Sequence, residues 1–137
     1  MTPARLTVLL PVYNAEAFLR PAIESILGQS FGDFELLIMD DGSTDGSREV
    51  AASYDDPRIR RLDNGRNLGL IATLNRGLNL AQGEYIARMD ADDRSFPERF
   101  ERQLNFLDRH PEVGVCGTWY QRTSPTGATL MKPPAED

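Results

Sequence analysis

Three carboxylates fall within four residues at Asp90-Ala91-Asp92-Asp93, directly after the apolar-leaning run Glu84-Tyr85-Ile86-Ala87-Arg88-Met89. A strand that opens into such a cluster puts negative charge at the lip of a sheet, where it is either a solvated turn or a seat for a hard divalent cation. Three other apolar runs end in residues with chemistry of their own. Pro11-Val12-Tyr13-Asn14 follows the first, Asp40-Asp41-Gly42-Ser43 the second, and Arg66-Asn67 a short third.

The elements that must position these residues alternate. Leu6 to Leu10 reads as a strand ended by Pro11, which cannot donate to a sheet ladder. Phe18, Leu19, Ala22, Ile23, Ile26 and Leu27 then mark one buried face of a helix from Ala15, with Asn14 as its N-cap and Gly28 as its stop. Phe34 to Met39 is the second strand, Ser47 to Tyr54 a helix, and Ile59 to Leu62 the third strand. Leu70, Ile71, Leu74, Leu78 and Ala81 mark a third helix, and Tyr85 to Met89 the fourth strand. Pro97 suits the first turn of a helix with Phe100, Leu104 and Leu107 on its face, and Val113 to Gly117 reads as a fifth strand. Beyond Tyr120 the chain shows no periodic element and is expected to be a mobile tail, or the start of a further segment.

Strands separated by helices imply a mostly parallel α/β sheet covered on both faces, whose ligands bind at the carboxyl ends of the strands. The four loops therefore share one rim. An aromatic ring, a carboxylate beside small residues, a basic and amide pair and an acidic cluster suit a polar ligand with a flat ring at one end. Like charges about 4 Å apart repel by roughly 4 kcal/mol at an effective dielectric near 20, so an acidic rim cannot hold a diphosphate unaided. Mg²⁺ or Mn²⁺ resolves the conflict, taking one or two carboxylates and leaving positions for phosphate oxygens. Asp41, on a different loop, suits acceptance of a hydrogen bond from the imide N–H of a pyrimidine, while Asp40 should point to the opposite face.

Composition sets outer bounds. The chain has 137 residues, 40% hydrophobic and 26% charged, a globular balance for one domain. A net charge of −6 argues against a nucleic-acid partner. The single Cys116 excludes an intramolecular disulfide and reads as a small core residue. No apolar run reaches the roughly 18 residues that span a bilayer. The expected location is the cytoplasm, with the inner face of a membrane as an alternative station. His110 is read as a cation at a helix C-terminus, and Arg94, Arg99 and Arg102 as a solvated helix face.

Taken in order, Val8-Leu9-Leu10-Pro11-Val12-Tyr13-Asn14, Gln29-Ser30-Phe31, Glu35 through Asp45, Asn67-Leu68-Gly69 and Gly83 through Asp93 closely resemble the family 2 glycosyltransferases. The resemblance runs from about residue 5 to 118 and implies the GT-A fold, the Rossmann-like fold of nucleotide-diphospho-sugar transferases, in an incomplete form. It divides the chain into a nucleotide-sugar-binding half over 1–119 and, over 120–137, the tail or start of an acceptor-binding half. It further implies inverting transfer from a UDP-sugar to a saccharide or lipid-linked acceptor, in polysaccharide or cell-surface glycan synthesis. By position, Tyr13 and the backbone around Pro11 would contact the base and Asp41 would read it. Asp90 would lie toward the ribose, Asp92 would hold the metal, Asp93 would assist, and Arg66 and Asn67 would meet ribose or phosphate. Glu16 matches an acidic position of varied role.

An inverting transferase needs a general base for the acceptor hydroxyl. Glu112 and Glu136 match no family motif, so the resemblance implies a base outside this chain and a chain inactive alone. The alternative is a nucleotide-binding or interaction module without turnover. A sheet edge left open where further strands would pair predicts self-association.

Overall fold

The computed structural model describes residues 2–131. Two central strands, β1 (Leu6–Val12) and β2 (Phe34–Asp40), are buried along their whole length. Such continuous burial requires a parallel sheet covered on both faces, which explains why both read as unbroken apolar runs. β3 (Ile59–Asp63) pairs with β2 and β4 (Tyr85–Arg88) with β1, all parallel, giving the order β3-β2-β1-β4. The chain moves outward from β1 to β3 and then crosses back beyond β1, so the topological switch point lies between β1 and β4.

β1 does not stop at Pro11, as its chemistry predicts, but continues through Val12 beside Asp40. Alternate residues of a parallel strand turn their amide groups to opposite neighbours. Leu9 faces β4, because its carbonyl accepts from Met89 N, whereas Val12 accepts from Asp41 N on the other side. Pro11 therefore turns its missing N–H toward β4 just beyond the last paired residue, Arg88, where the ladder has ended and no strand bond is lost.

Helix α1 (Glu16–Leu27) buries Leu19, Ala22, Ile23 and Ile26, while Phe18 stands 49% exposed. The buried Gln29 at its end donates from Nε2 to Phe96 O and accepts from Phe100 N, tying the segment before α4 (Arg99–Arg109) to α1. Phe100 sits edge-on to Phe34 with ring centroids 5.8 Å apart. Pro97 lies in the turn that precedes α4.

α2 (Ser47–Ala52) is shorter than expected, and α3 (Leu70–Leu80) meets the sheet differently. Its fully or nearly buried residues are Thr73 and Gly77, whereas Leu70, Ile71 and Leu78 are 50%, 79% and 50% exposed. A Cβ on Gly77 would lie 2.6 Å from Met39 Sδ, so the helix docks through its small side and no bulky stripe fits there. Leu74 alone of the expected leucines packs on the cluster of Leu9, Leu37 and Met39.

Beneath α3 a polar network closes the sheet. Thr7 Oγ1 donates 2.7 Å to Glu35 Oε1, which also accepts from Gln82 N, while Arg60 Nη1 donates 3.0 Å to Glu35 Oε2. Desolvation pushes the Glu35 carboxyl up, but these hydrogen bonds and the Arg60 charge outweigh it and leave it below its ordinary value.

The described residues form two compact units dividing after Phe100. In the second, Val113 to Gly117 forms no strand: Val115 is 88% exposed, Cys116 is only half-buried, and Gln103 Nε2 donates to the Cys116 carbonyl. The run alternates like a strand but has no partner to pair with among the described residues. Instead a short antiparallel hairpin, β5 (Arg122–Thr123) and β6 (Thr129–Met131), forms in the expected tail. Among the described residues no helix is long and apolar enough to cross a membrane.

Candidate functional site

The loops after β1 and β2 are laced together before any ligand is considered. Asn14 takes a left-handed φ of 47°, which asparagine tolerates better than most residues. Its Oδ1 accepts from Thr44 N at 2.8 Å and Asp45 N at 3.3 Å, and its own N–H donates to Ser43 Oγ. It is therefore a clamp on the second loop rather than the N-cap of α1. The α1 donors are met from across the gap: Ala15 N donates to Ser47 Oγ and Glu16 N to Asp45 Oδ2, while Glu16 Oε2 accepts from Gly46 N. Each helix start thus satisfies donors of the other.

Asp40 and Asp41 diverge as adjacent strand residues should. Asp40 Oδ2 accepts from Ser43 N and from Arg48 Nε at 2.9 Å. Asp41, 5% exposed, faces the loop after β3: Oδ1 accepts from Leu68 N at 2.7 Å and Asn64 Nδ2 at 2.9 Å, and Oδ2 from Gly69 N at 3.0 Å. Desolvation raises the Asp41 carboxyl, and this set of donors more than reverses that, holding it below its ordinary value. Gly42 makes the approach possible, with φ of +77° and the backbone of Arg66 and Asn67 only 2.5 Å from where a Cβ would sit.

These loops surround a cavity of about 420 Å³ at the switch point. Pro11, Tyr13, Asp41, Asn67, Asp90 and Asp92 all line it, drawn from all four loops. Two expected residues do not: the exposed Arg66 and Asp93 lie outside the lining. Among the lining residues that were not expected are Phe18, Leu70 and Thr73. Phe18 was hidden in the α1 stripe, and the signal that separates it is its place in the first turn, nearest the strand ends. Thr73 is the one buried polar residue of α3.

The carboxylate oxygens of Asp90, Asp92 and Asp93 lie within 4.8 Å of one another on exposed side chains. Carboxylate oxygens are the hard donors that a divalent cation takes. The turn is set by Asp93 N donating to Asp90 O. Partial desolvation raises the Asp93 carboxyl above its ordinary value, and the charges of Asp92 and Asp90 push it further against Arg99 and Arg88. Arg88 Nη2 pairs with Asp90 Oδ1 at 3.1 Å, and Arg99 is anchored rather than solvated, donating to Arg88 O and to Ser95 Oγ. Outside the cavity, His110 Nδ1 meets Glu112 Oε1 at 3.2 Å, and Glu136 lies beyond the described residues.

A parallel sheet with this strand order and an acidic rim at its switch point is the GT-A fold of glycosyltransferases. The chain belongs to glycosyl transferase family 2, whose model matches residues 7–133. It is 46% identical over 118 residues to the Bacillus subtilis (strain 168) protein named as glycosyltransferase EpsE, covering 83% of this chain and 42% of that protein. The structure of S. aureus TarS 1-349 in complex with UDP-GlcNAc superposes with a TM-score of 0.74 at 25% identity, over 88% of this chain and 39% of that one. The mannosyltransferase PcManGT from Pyrobaculum calidifontis, in complex with GDP-Man and Mn²⁺, superposes with a TM-score of 0.65 at 27% identity, over 78% and 33%. The chain spans less than half the length of these relatives.

Proposed function

We propose that this chain carries the donor site of an inverting, divalent-metal-dependent glycosyltransferase that uses a UDP-sugar. The observation that carries the reading is the convergence of Tyr13, Asp41 and the Asp90–Asp92 turn, from three separate loops, on one cavity at the switch point. Tyr13 and Phe18 offer aromatic surface for a base, and the remaining lone pair of Asp41 Oδ2 accepts its imide N–H. Asn67 and Asp90 lie along the path to the ribose and phosphates. Asp92, with Asp90 and Asp93, would hold Mn²⁺ or Mg²⁺, which when bound supplies the positive charge a departing nucleoside diphosphate needs. Membership of family 2 and the neighbours crystallised with UDP-GlcNAc, and with GDP-Man and Mn²⁺, support this assignment. The acceptor is a saccharide or a lipid-linked saccharide, in surface or cell-wall polysaccharide synthesis on the cytoplasmic side.

Among the described residues, the carboxylates lining the cavity are Asp41, Asp90 and Asp92, and each has a donor-side task. No general base is therefore assigned within this chain. That same observation favours a second reading, in which the chain by itself binds nucleotide without turnover. Calorimetric titration of UDP with and without Mn²⁺ tests the donor site. Metal-dependent affinity that Asp92→Ala removes is expected, and metal-independent affinity unchanged by that substitution defeats the proposal. Donor hydrolysis or sugar transfer by the 137-residue chain separates the two readings, and appreciable transfer rules out the second.

A further inference from the structure

Asn64 has no part in the cavity lining, yet it touches two residues that do. Its Nδ2 donates 2.9 Å to Asp41 Oδ1 and 2.8 Å to Thr73 Oγ1, spending both amide hydrogens. Its Oδ1 accepts from Arg76 Nη1 at 2.6 Å. The chemistry leaves one orientation: a carboxylate only accepts and a guanidinium only donates, so the amide nitrogen must face Asp41 and the oxygen Arg76. The backbone is pinned as well, Asn64 N donating 2.9 Å to Asp40 O. Thr73, fully buried, passes its own hydroxyl hydrogen to Gly69 O at 2.8 Å.

The lone pairs can now be counted. Asp41 Oδ1 is filled by Asn64 and Leu68, and Oδ2 holds Gly69 N with one acceptor position left. Without Asn64 the amides of Leu68 and Gly69 still hold the carboxylate, but Oδ1 gains an open acceptor position and would compete with Oδ2 for any ligand N–H. We infer that Asn64 is a positioning residue that, through Asp41, sets the nucleobase selectivity of the donor site. This rests on the base-reading role proposed above for Asp41. The ligand class it selects is a nucleotide whose ring nitrogen carries a hydrogen facing Asp41, as in uracil. Cytosine presents a bare acceptor nitrogen at the same place, and two acceptors repel.

The test is calorimetry of UDP and CDP, each with Mn²⁺, on the 137-residue chain and three variants. The wild type should favour UDP by roughly tenfold or more, the worth of one hydrogen bond to a charged acceptor. Asn64→Leu, close in volume and unable to hydrogen-bond, should weaken UDP about tenfold, change CDP less than about twofold and bring the ratio near one. Arg76→Met, at a partly exposed position, removes the donor that anchors Asn64 Oδ1 and so loosens the side chain, and should cut the ratio about threefold, so it decides the matter if Asn64→Leu does not fold. If both UDP and CDP weaken in proportion, with the ratio intact in whichever of these variants folds, Asn64 is merely structural and the inference is overturned. Asp41→Asn separates the layers. A ratio that it leaves unchanged overturns the base-reading role and the inference together, whereas a ratio collapsed by Asp41→Asn but not by Asn64→Leu or Arg76→Met overturns the inference alone.

Discussion

Replacing Asp41 by asparagine keeps the shape of the side chain and removes its charge, which isolates what the carboxylate does for the loop after β3. Asparagine Oδ1 can still accept from Leu68 N and Asn64 Nδ2, as the aspartate does at 2.7 and 2.9 Å. Its Nδ2 would face Gly69 N, donor against donor, where the carboxylate accepts at 3.0 Å. One hydrogen bond to a charged acceptor, worth about 1.5–3 kcal/mol, is lost and two others fall to the neutral range, for a total near 3 kcal/mol. At about 3–4 °C per kcal/mol for a chain of this length, Tm should fall by roughly 10 °C at pH 7. The pH dependence adds a sign. The folded Asp41 carboxyl lies below its ordinary value of 3.8, so its contribution is fully present above that pH and disappears as pH falls through the lower folded value. Melts followed by circular dichroism should therefore show the gap between wild type and variant at pH 7, narrowing toward pH 3. A gap that is absent, or that stays constant across this range, refutes the claim that the ionised carboxylate holds the loop.

Glu35→Gln places an amide donor against Arg60 and should cost about 2 kcal/mol at pH 7, shrinking as pH drops below about 4, again by thermal melts. Gly77→Ala forces a Cβ to within 2.6 Å of Met39 Sδ and should destabilise by about 1–3 kcal/mol, measured by urea unfolding. Phe18→Ala should weaken UDP several-fold with little change in Tm, since the ring is 49% exposed and lines the cavity. Ile86 is an exposed apolar residue of the edge strand β4, so Ile86→Lys should reduce any self-association seen by sedimentation velocity without altering nucleotide affinity.

The alternation of strand and helix was legible because β1 and β2 are buried on both faces and so carry unbroken apolar runs. The rim was legible for a related reason, since every chemically armed loop follows a strand and parallel strands end on one side. What escaped the residues was packing at close range. α3 presents Thr73 and Gly77 to the sheet because its backbone lies too near Met39 for leucines, and periodicity cannot tell a small docking face from an apolar one. Pro11 reads as a stop until the shorter neighbouring strand is known. Val113 to Gly117 carries the alternation of a strand, which pairing alone can realise. The hairpin over 122–131 had a visible signal, the turn-forming Ser124-Pro125-Thr126-Gly127 with Gly127 at a φ of 90°, flanked by β-branched Thr123 and Thr129. Within the site, Asp41 was found by its type, but its partners on a loop more than twenty residues away were not.

If the acidic turn and the loops that carry Tyr13 and Asp41 form one donor site, as proposed, Mn²⁺ and UDP bind it cooperatively. Electron paramagnetic resonance of Mn²⁺, titrated with the chain in the presence and absence of UDP, tests that coupling directly. UDP should markedly increase the Mn²⁺ bound, Asp92→Ala should abolish the increase, and Asp41→Asn should weaken it through the nucleotide. Mn²⁺ binding indifferent to UDP, or retained in full by Asp92→Ala, would contradict the proposal.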